Sequence, residues 1–194
     1  MCLFTSRMAI SCINSVWVGI DGFSAPNSDI LQAGVDLRVT RQSGVLNVAI
    51  EPWWEWWKGQ SFYFDNFRVS PGDTISCHIN CVAGGTTGTV RMANLVSGLH
   101  ISLVVPAPAG TSLIGNCAEW IVERQTIDAT SNVLTELSDF GSIFLDDAFA
   151  STNDASKSLL AGKGVPITMV AADNTTMLAS PTILGSTALK VDRL

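Results

Sequence analysis

Two short stretches hold the residue types best suited to chemistry. One is Ile30-Leu31-Gln32-Ala33-Gly34-Val35-Asp36, the other Cys117-Ala118-Glu119-Trp120-Ile121-Val122-Glu123. Between them lies Trp53-Trp54-Glu55-Trp56-Trp57, where four of the six tryptophans flank one glutamate. Carboxylates beside an amide can do general acid–base work, with the amide donating to a developing negative charge. Other chemistries are poorly supplied. The two histidines, His78 and His100, stand in no nucleophile motif, and no Gly-x-Ser-x-Gly elbow occurs. His-Glu-x-x-His and Cys-x-x-Cys patterns are absent, so no metal and no cofactor is expected. The glycine-rich run from Ala83 to Gly88 lacks the Lys-Ser/Thr ending of a phosphate loop and reads as a turn.

The elements that must carry these residues read as strands. Alternation and turn residues recur along the chain, while helical periodicity is scarce, which is the pattern of an all-β sandwich or barrel. Strands are expected near 15–21, 30–40, 45–57, 61–69, 74–82, 88–95, 99–105, 117–125, 140–146, 165–171, 176–183 and 186–192. A period of two puts Leu31, Ala33, Val35, Leu37 and Val39 on one face, and Gln32, Gly34, Asp36 and Arg38 on the other. The same rule opposes Leu46, Val48, Ile50, Trp54 and Trp56 to Asn47, Glu51, Trp53, Glu55 and Trp57. It sets Val16, Val18 and Ile20 against Trp17, Gly19 and Asp21, and Ala118, Trp120 and Val122 against Glu119, Ile121 and Glu123. If these four strands share a sheet, one face is apolar and the other collects carboxylates, Gln32 and three tryptophans, with Arg38 as its only base. Two classes use such a face: glycoside hydrolases with paired carboxylates and stacking aromatics, and carboxylate peptidases that activate water. Alternation alone does not choose between them.

Composition sets the limits. The 194 residues fit one domain, 47% of them apolar and only 14% charged, enough for a sizeable core. The net charge of −6 disfavours nucleic acid and anionic membranes as partners, and no apolar run is long enough to span a bilayer. Of the five cysteines, Cys77 and Cys81 lie about 13 Å apart along one strand, too far to bridge, and the odd count leaves at least one thiol unpaired.

Taken together, the motifs WVGIDG, ILQAGVD, WWEWW followed by VSPGD, and NCAEWIVE resemble, in order and separation, those of the glutamic peptidases, or eqolisins. These are acid-acting endopeptidases mainly of filamentous fungi. The similarity runs from about Val16 to Phe149 and is weaker through the C-terminal strands. It implies a two-layer antiparallel β-sandwich, a concanavalin A-like jelly roll as in lectins and glucanases, formed by residues 1–194 as a single domain. Residues 1–15 are atypical of the family and read as a disordered or truncated start. The resemblance makes Glu119 and Gln32 the catalytic pair. It assigns substrate contacts to Trp17, Asp21, Asp36, Trp53, Glu55, Trp57 and Glu123. Trp54 also matches a cleft position, but its face places it with the core. Polypeptide substrates, a monomeric state and secretion follow from the same resemblance, although MCLFTSRMAISCINS, interrupted by Arg7, is a poor secretion signal. Arg124 stands where an acid often follows the second glutamate, and the family's usual cysteines are missing or shifted. The alternatives are a carbohydrate-binding or glycoside-cleaving sandwich, and an inactive truncated peptidase homologue.

Overall fold

A computed structural model describes residues 11–23, 29–82, 84–128, 133–151, 157–159 and 163–194. Among these residues all regular structure is β and antiparallel within its sheets, with no helix. The chain forms two compact units, Leu3–Glu136 and one built on Leu137–Leu194.

The first unit holds strands β1 (Ser11–Asp21), β2 (Ile30–Gln42), β3 (Val45–Trp57), β4 (Ser61–Tyr63), β5 (Ile75–Cys81), β6 (Thr87–Asn94), β7 (His100–Pro106), β8 (Ala118–Arg124), β9 (Thr126–Asp128) and β10 (Val133–Leu134). A five-stranded sheet runs β4-β3-β2-β1-β8, and a three-stranded sheet runs β5-β6-β7. Both are antiparallel sheets with one apolar face, and burying those faces against each other makes the two layers. Leu31, Ala33 and Val35 from β2 and Trp54 and Trp56 from β3 meet Ile75, Cys77 and Ile79 from β5, Val90 and Met92 from β6, and Val105 from β7. Trp56 is fully enclosed, and Trp54 packs on this core while stacking on Phe62 with ring centroids 4.8 Å apart. The alternation thus assigns Trp54 correctly: its ring lies on the core side.

The expected strand 45–57 forms over its whole length. The strand expected at 61–69 stops at Tyr63, because Phe64 and Phe67 turn the chain, and only an isolated bridge from Val69 to Ile50 continues it. Residues 11–15, expected as part of an atypical start, are the first part of β1, paired from Ser11 with Thr40; residues 1–10 lie outside the described residues. The β9–β10 hairpin was not expected. It leads to Thr135, whose hydroxyl donates to the Ile13 carbonyl at 2.9 Å and whose own carbonyl accepts from Arg124 Nε. Arg124 therefore serves as a fastener of β8. Cys77, Cys81 and Cys117 are free thiols, so Cys77 and Cys81 do not bridge each other, as their spacing along one strand predicts, and Cys12 is disulfide-bonded.

The second unit holds β11 (Ser142–Leu145), β12 (Phe149–Ser151), β13 (Lys157–Leu159), β14 (Met169–Val170), β15 (Met177–Ile183) and β16 (Leu189–Arg193). Its four-stranded sheet runs β11-β16-β15-β14, beside a β12–β13 hairpin. Ala148, Ala179, Leu189 and Val191 are buried there. Arg193 Nη1 donates to the Leu178 carbonyl at 2.7 Å, and Asp192 accepts from Ser142 Oγ at 2.6 Å and pairs with Lys190 at 2.8 Å.

In the five-stranded sheet, Gly34 is the tightest point. A Cβ there would lie 2.1 Å from the Val16 carbonyl oxygen and 2.6 Å from Trp17 Cα. Neither neighbour can swing away, since both are paired backbone. Gly34→Ala is expected to destabilise the protein by about 1–3 kcal/mol, as overpacking does. Thermal denaturation followed by circular dichroism checks this; an unchanged midpoint would show that β1 and β2 can separate locally.

Candidate active site

The antiparallel registers of β8, β1, β2, β3 and β4 stack the outer face of the large sheet into rows, since residues opposite one another share a face. The first row reads Glu119, Gly19, Gln32, Glu55, Ser61. The second reads Ile121, Trp17, Gly34, Trp53, Tyr63, and the third Glu123, Ser15, Asp36, Glu51. Gln32 and Glu119 are thus two strand spacings apart, about 10 Å between backbones, with a glycine between them. The middle position adds no side chain of its own, and the Trp17 ring and Ile30 take up the space beside it. A Cβ on Gly19 would approach Trp17 Cζ3 to 2.7 Å and Ile30 Cδ1 to 3.1 Å.

Gln32 is oriented from the other side: its Nε2 donates to Glu55 Oε2 at 2.6 Å. This turns the amide within the first row and leaves its second N–H and its carbonyl oxygen for other partners. Glu119 accepts a hydrogen bond from the Phe23 backbone N–H, and the Cys117 thiol lies 4.0 Å from its Oε1. Gln32, Glu55 and Glu119 are all half-buried, so solvent reaches this row.

The second row is an apolar floor. Trp17 and Trp53 are buried with Ile30, and Ile121 packs against them. The Trp17 ring is pinned by its Nε1–H, which donates to Glu123 Oε2 at 2.9 Å. Trp57 is the one tryptophan of this face that stands 47% exposed, so it presents a ring outward where Trp53 does not.

The third row is closed by a hydrogen-bond cluster around Asp36, which is fully buried. Its carboxylate accepts from Ser15 Oγ at 2.7 Å, Tyr63 Oη at 2.8 Å and Gln125 Nε2 at 2.8 Å. Beside it Arg38 pairs with Glu51 at 2.8 Å. Asp36 therefore braces β1, β2 and β4 rather than opening to the face. Asp21 also departs from its expected place: it is fully buried, and its carboxylate accepts from the backbone N–H groups of Ile114, Gly115 and Asn116. Alternation predicts neither, because the enclosing groups come from distant segments. Ser15, Tyr63, Gln125 and Ile30 were not singled out from the sequence. Gly19 had a readable signal, since an isolated glycine inside a strand marks close approach.

The electrostatics run in one direction across this face. Burial pushes the Glu55 carboxyl above its ordinary range, the Gln32 amide pulls it partly back, and the Glu123 charge raises it again. Glu119 is raised by burial, lowered by the Phe23 N–H and raised by Asp21. Glu123 is raised by partial loss of solvent, lowered by Trp17 and raised by Asp36. Burial and the bond to Asp36 push Tyr63 up to about 12, so its hydroxyl remains a donor. Among the described residues no group of three or more His, Cys, Asp or Glu side chains could hold a metal ion.

With this geometry in place, comparison with known proteins is direct. Residues 5–193 match the Peptidase A4 family. The chain belongs to that family. It is 29% identical to aspergillopepsin-2 of Aspergillus niger over 138 residues, 71% of this chain and 46% of that protein. It is 29% identical to scytalidopepsin B of Scytalidium lignicola over 113 residues, 58% of this chain and 40% of that protein. The matches thus span less than half the length of these relatives. The crystal structure of aspergilloglutamic peptidase from Aspergillus niger superposes with a TM-score of 0.77 at 24% identity, covering 94% of this chain and 99% of that one. A scytalido-glutamic peptidase solved with a transition state analog inhibitor also gives 0.77, at 22% identity over 96% and 87% of the two chains. These likenesses confirm the β-sandwich fold of this Peptidase A4 member.

The raised carboxyls set the sign of the pH dependence. A carboxylic acid whose pKa rises on folding contributes its stability in full below the unfolded value, about 4.3 for Glu. That contribution is lost as pH climbs through the folded value. Glu55, Glu119 and Glu123 all follow this rule. Asp192 and Asp173 are shifted down, but they belong to the other unit, where Asp173 is exposed and Asp192 partly so. All six tryptophans precede residue 121, so their fluorescence reports the Leu3–Glu136 unit. The fluorescence-detected melting temperature is expected to be higher near pH 4 than near pH 7, and Glu55→Gln with Glu123→Gln is expected to flatten the difference. A midpoint that rises steadily across this range would contradict the assignment.

Proposed function

We propose that this Peptidase A4 member is an acid endopeptidase that cleaves polypeptides with Glu119 and Gln32 as its catalytic pair. The observation that carries the reading is the first row of the outer face: Glu119 on β8 and Gln32 on β2 stand in register on either side of Gly19, with the amide oriented by Glu55. Membership of a family whose relatives are named as glutamic peptidases supports the reaction class.

The chemistry follows from the two groups. Glu119 as carboxylate takes a proton from water as that water attacks the scissile carbonyl, and then gives it to the leaving amine. A carboxyl raised by burial holds that proton in the acid range and can deliver it. Gln32 keeps one N–H on Glu55 and offers the other to the oxyanion. A neutral amide adds no charge to compete with Glu119 and does not titrate. Glu55 and Glu123 act by holding Gln32 and Trp17, while the exposed Trp57 ring offers a stacking or packing surface for substrate side chains. Action outside the cell, by a monomer, belongs to the same reading.

The assay is digestion of denatured casein or haemoglobin at acid pH, run beside β-glucan. Glu119→Gln is expected to abolish turnover without altering the circular dichroism spectrum. Gln32→Ala is expected to lower kcat about 10²–10³-fold, and the double variant to be little worse than the worse single one. Glu55→Gln retains an acceptor for Gln32 and is expected to keep measurable activity. Glucan cleavage without proteolysis would overturn the reading; inactivation by Glu55→Gln but not Glu119→Gln would transfer the role to Glu55.

A further inference from the structure

Asp21 ends β1 with a backbone φ of 66°, in the left-handed region, and Gly22 follows at 102°. Asp tolerates that region better than most residues. This twist takes the side chain out of the strand's alternation. Instead of joining Trp17 and Gly19 on the outer face, the carboxylate enters the segment 114–117. Oδ2 accepts from the N–H of Ile114 at 2.5 Å and of Gly115 at 2.9 Å, and Oδ1 accepts from the N–H of Asn116 at 2.9 Å. The Asp21 N–H donates in turn to the Cys117 carbonyl at 3.0 Å. One residue therefore clasps four consecutive residues by their backbones.

The clasped segment has no strand partners of its own, and it leads straight into β8. Register pairing begins at Ile20 with Ala118, and the next pair is Gly19 with Glu119. Upstream, Ser112 N–H donates to the buried Asp29 at 2.9 Å, and the Leu113 side chain is buried in the core. The final approach, residues 114–117, is held by Asp21. Because Asp21 is fully buried, it cannot reach a substrate bound on the outer face.

We propose that Asp21 is a positioning residue for Glu119, its carboxylate fixing the path of residues 114–117 and so the place at which Glu119 faces Gln32 across Gly19. The proposal rests on the peptidase reading of Glu119. It differs from a substrate-contact role, which exposure at the outer face would require. A second effect has the same origin: after burial and the Phe23 N–H, the Asp21 charge acts on Glu119 and raises its proton affinity.

The experiment compares the wild-type chain with Asp21→Asn and Asp21→Gly. Asn keeps the shape but turns an NH₂ toward backbone donors; Gly keeps the backbone conformation and deletes the carboxylate. Amide hydrogen exchange on the wild type comes first. The N–H groups of Ile114, Gly115 and Asn116 are expected to be protected, and free exchange there overturns the proposal even if neither variant folds. In folded variants these three amides should exchange fast while β5, β6 and β7 keep their protection. The kcat should fall about 10²-fold with KM little changed, as for a displaced catalytic group, and the Glu119 carboxyl followed by NMR should titrate at lower pH. Unchanged kcat, a loss confined to KM, or an unmoved Glu119 titration each overturns it. If the wild type cleaves no polypeptide, the peptidase reading fails by itself, while exchange and the Glu119 titration still decide whether Asp21 positions that side chain.

Discussion

The pairing of β1 between β2 and β8 is the constraint on which the rest depends. Antiparallel neighbours in register must share a face, and this single fact brings Glu119, Gly19 and Gln32 into line although they are separated by most of the unit's sequence. A slip of one residue in either pairing would send every side chain of that strand to the opposite face. Residues outside the Glu119–Gln32 row help hold the register. Ser15 and Asp36 are opposite each other and hydrogen-bonded, Gly34 admits the β1 backbone, and Arg124 ties the end of β8 to Thr135.

The two faces of the sheet then divide the work. The inner face, with Leu31, Ala33 and Trp56, supplies burial against β5, β6 and β7. The outer face carries the groups whose protonation can change, on a floor of Trp17, Ile30 and Trp53. Above that buried floor a single short hydrogen bond joins Gln32 to Glu55. Burial raises Glu55 and Glu119 while leaving both partly open to water.

Much of this was legible in the amino-acid order. Period-two alternation assigned Gln32, Trp53, Glu55 and Trp54 to their faces, because in a strand side-chain direction is a local property. What alternation could not supply came from long-range partners and from backbone twist. Asp21 leaves its expected face because the last residue of β1 takes a positive φ, and Asp36 is closed over by Tyr63 and Gln125 from other segments. Nor did tryptophan-rich composition distinguish the buried Trp53 from the exposed Trp57; that depends on neighbours across the sheet. The early end of β4 follows from the turn at Phe64–Phe67, which a continuous apolar reading of 61–69 conceals.

The surroundings of Asp36 have one more consequence. Its carboxylate is solvated by a serine hydroxyl, a phenol and an amide, all neutral dipoles, rather than by a cation. Dissolved ions weaken attractions between net charges but have little grip on buried, fixed dipoles. The Arg38–Glu51 pair next to it, a third or more exposed at both side chains, is open to such screening. In concentrated electrolyte the brace that joins β1, β2 and β4 would therefore persist after its ionic neighbour had faded, leaving the sheet's alignment independent of the saltiness of its medium.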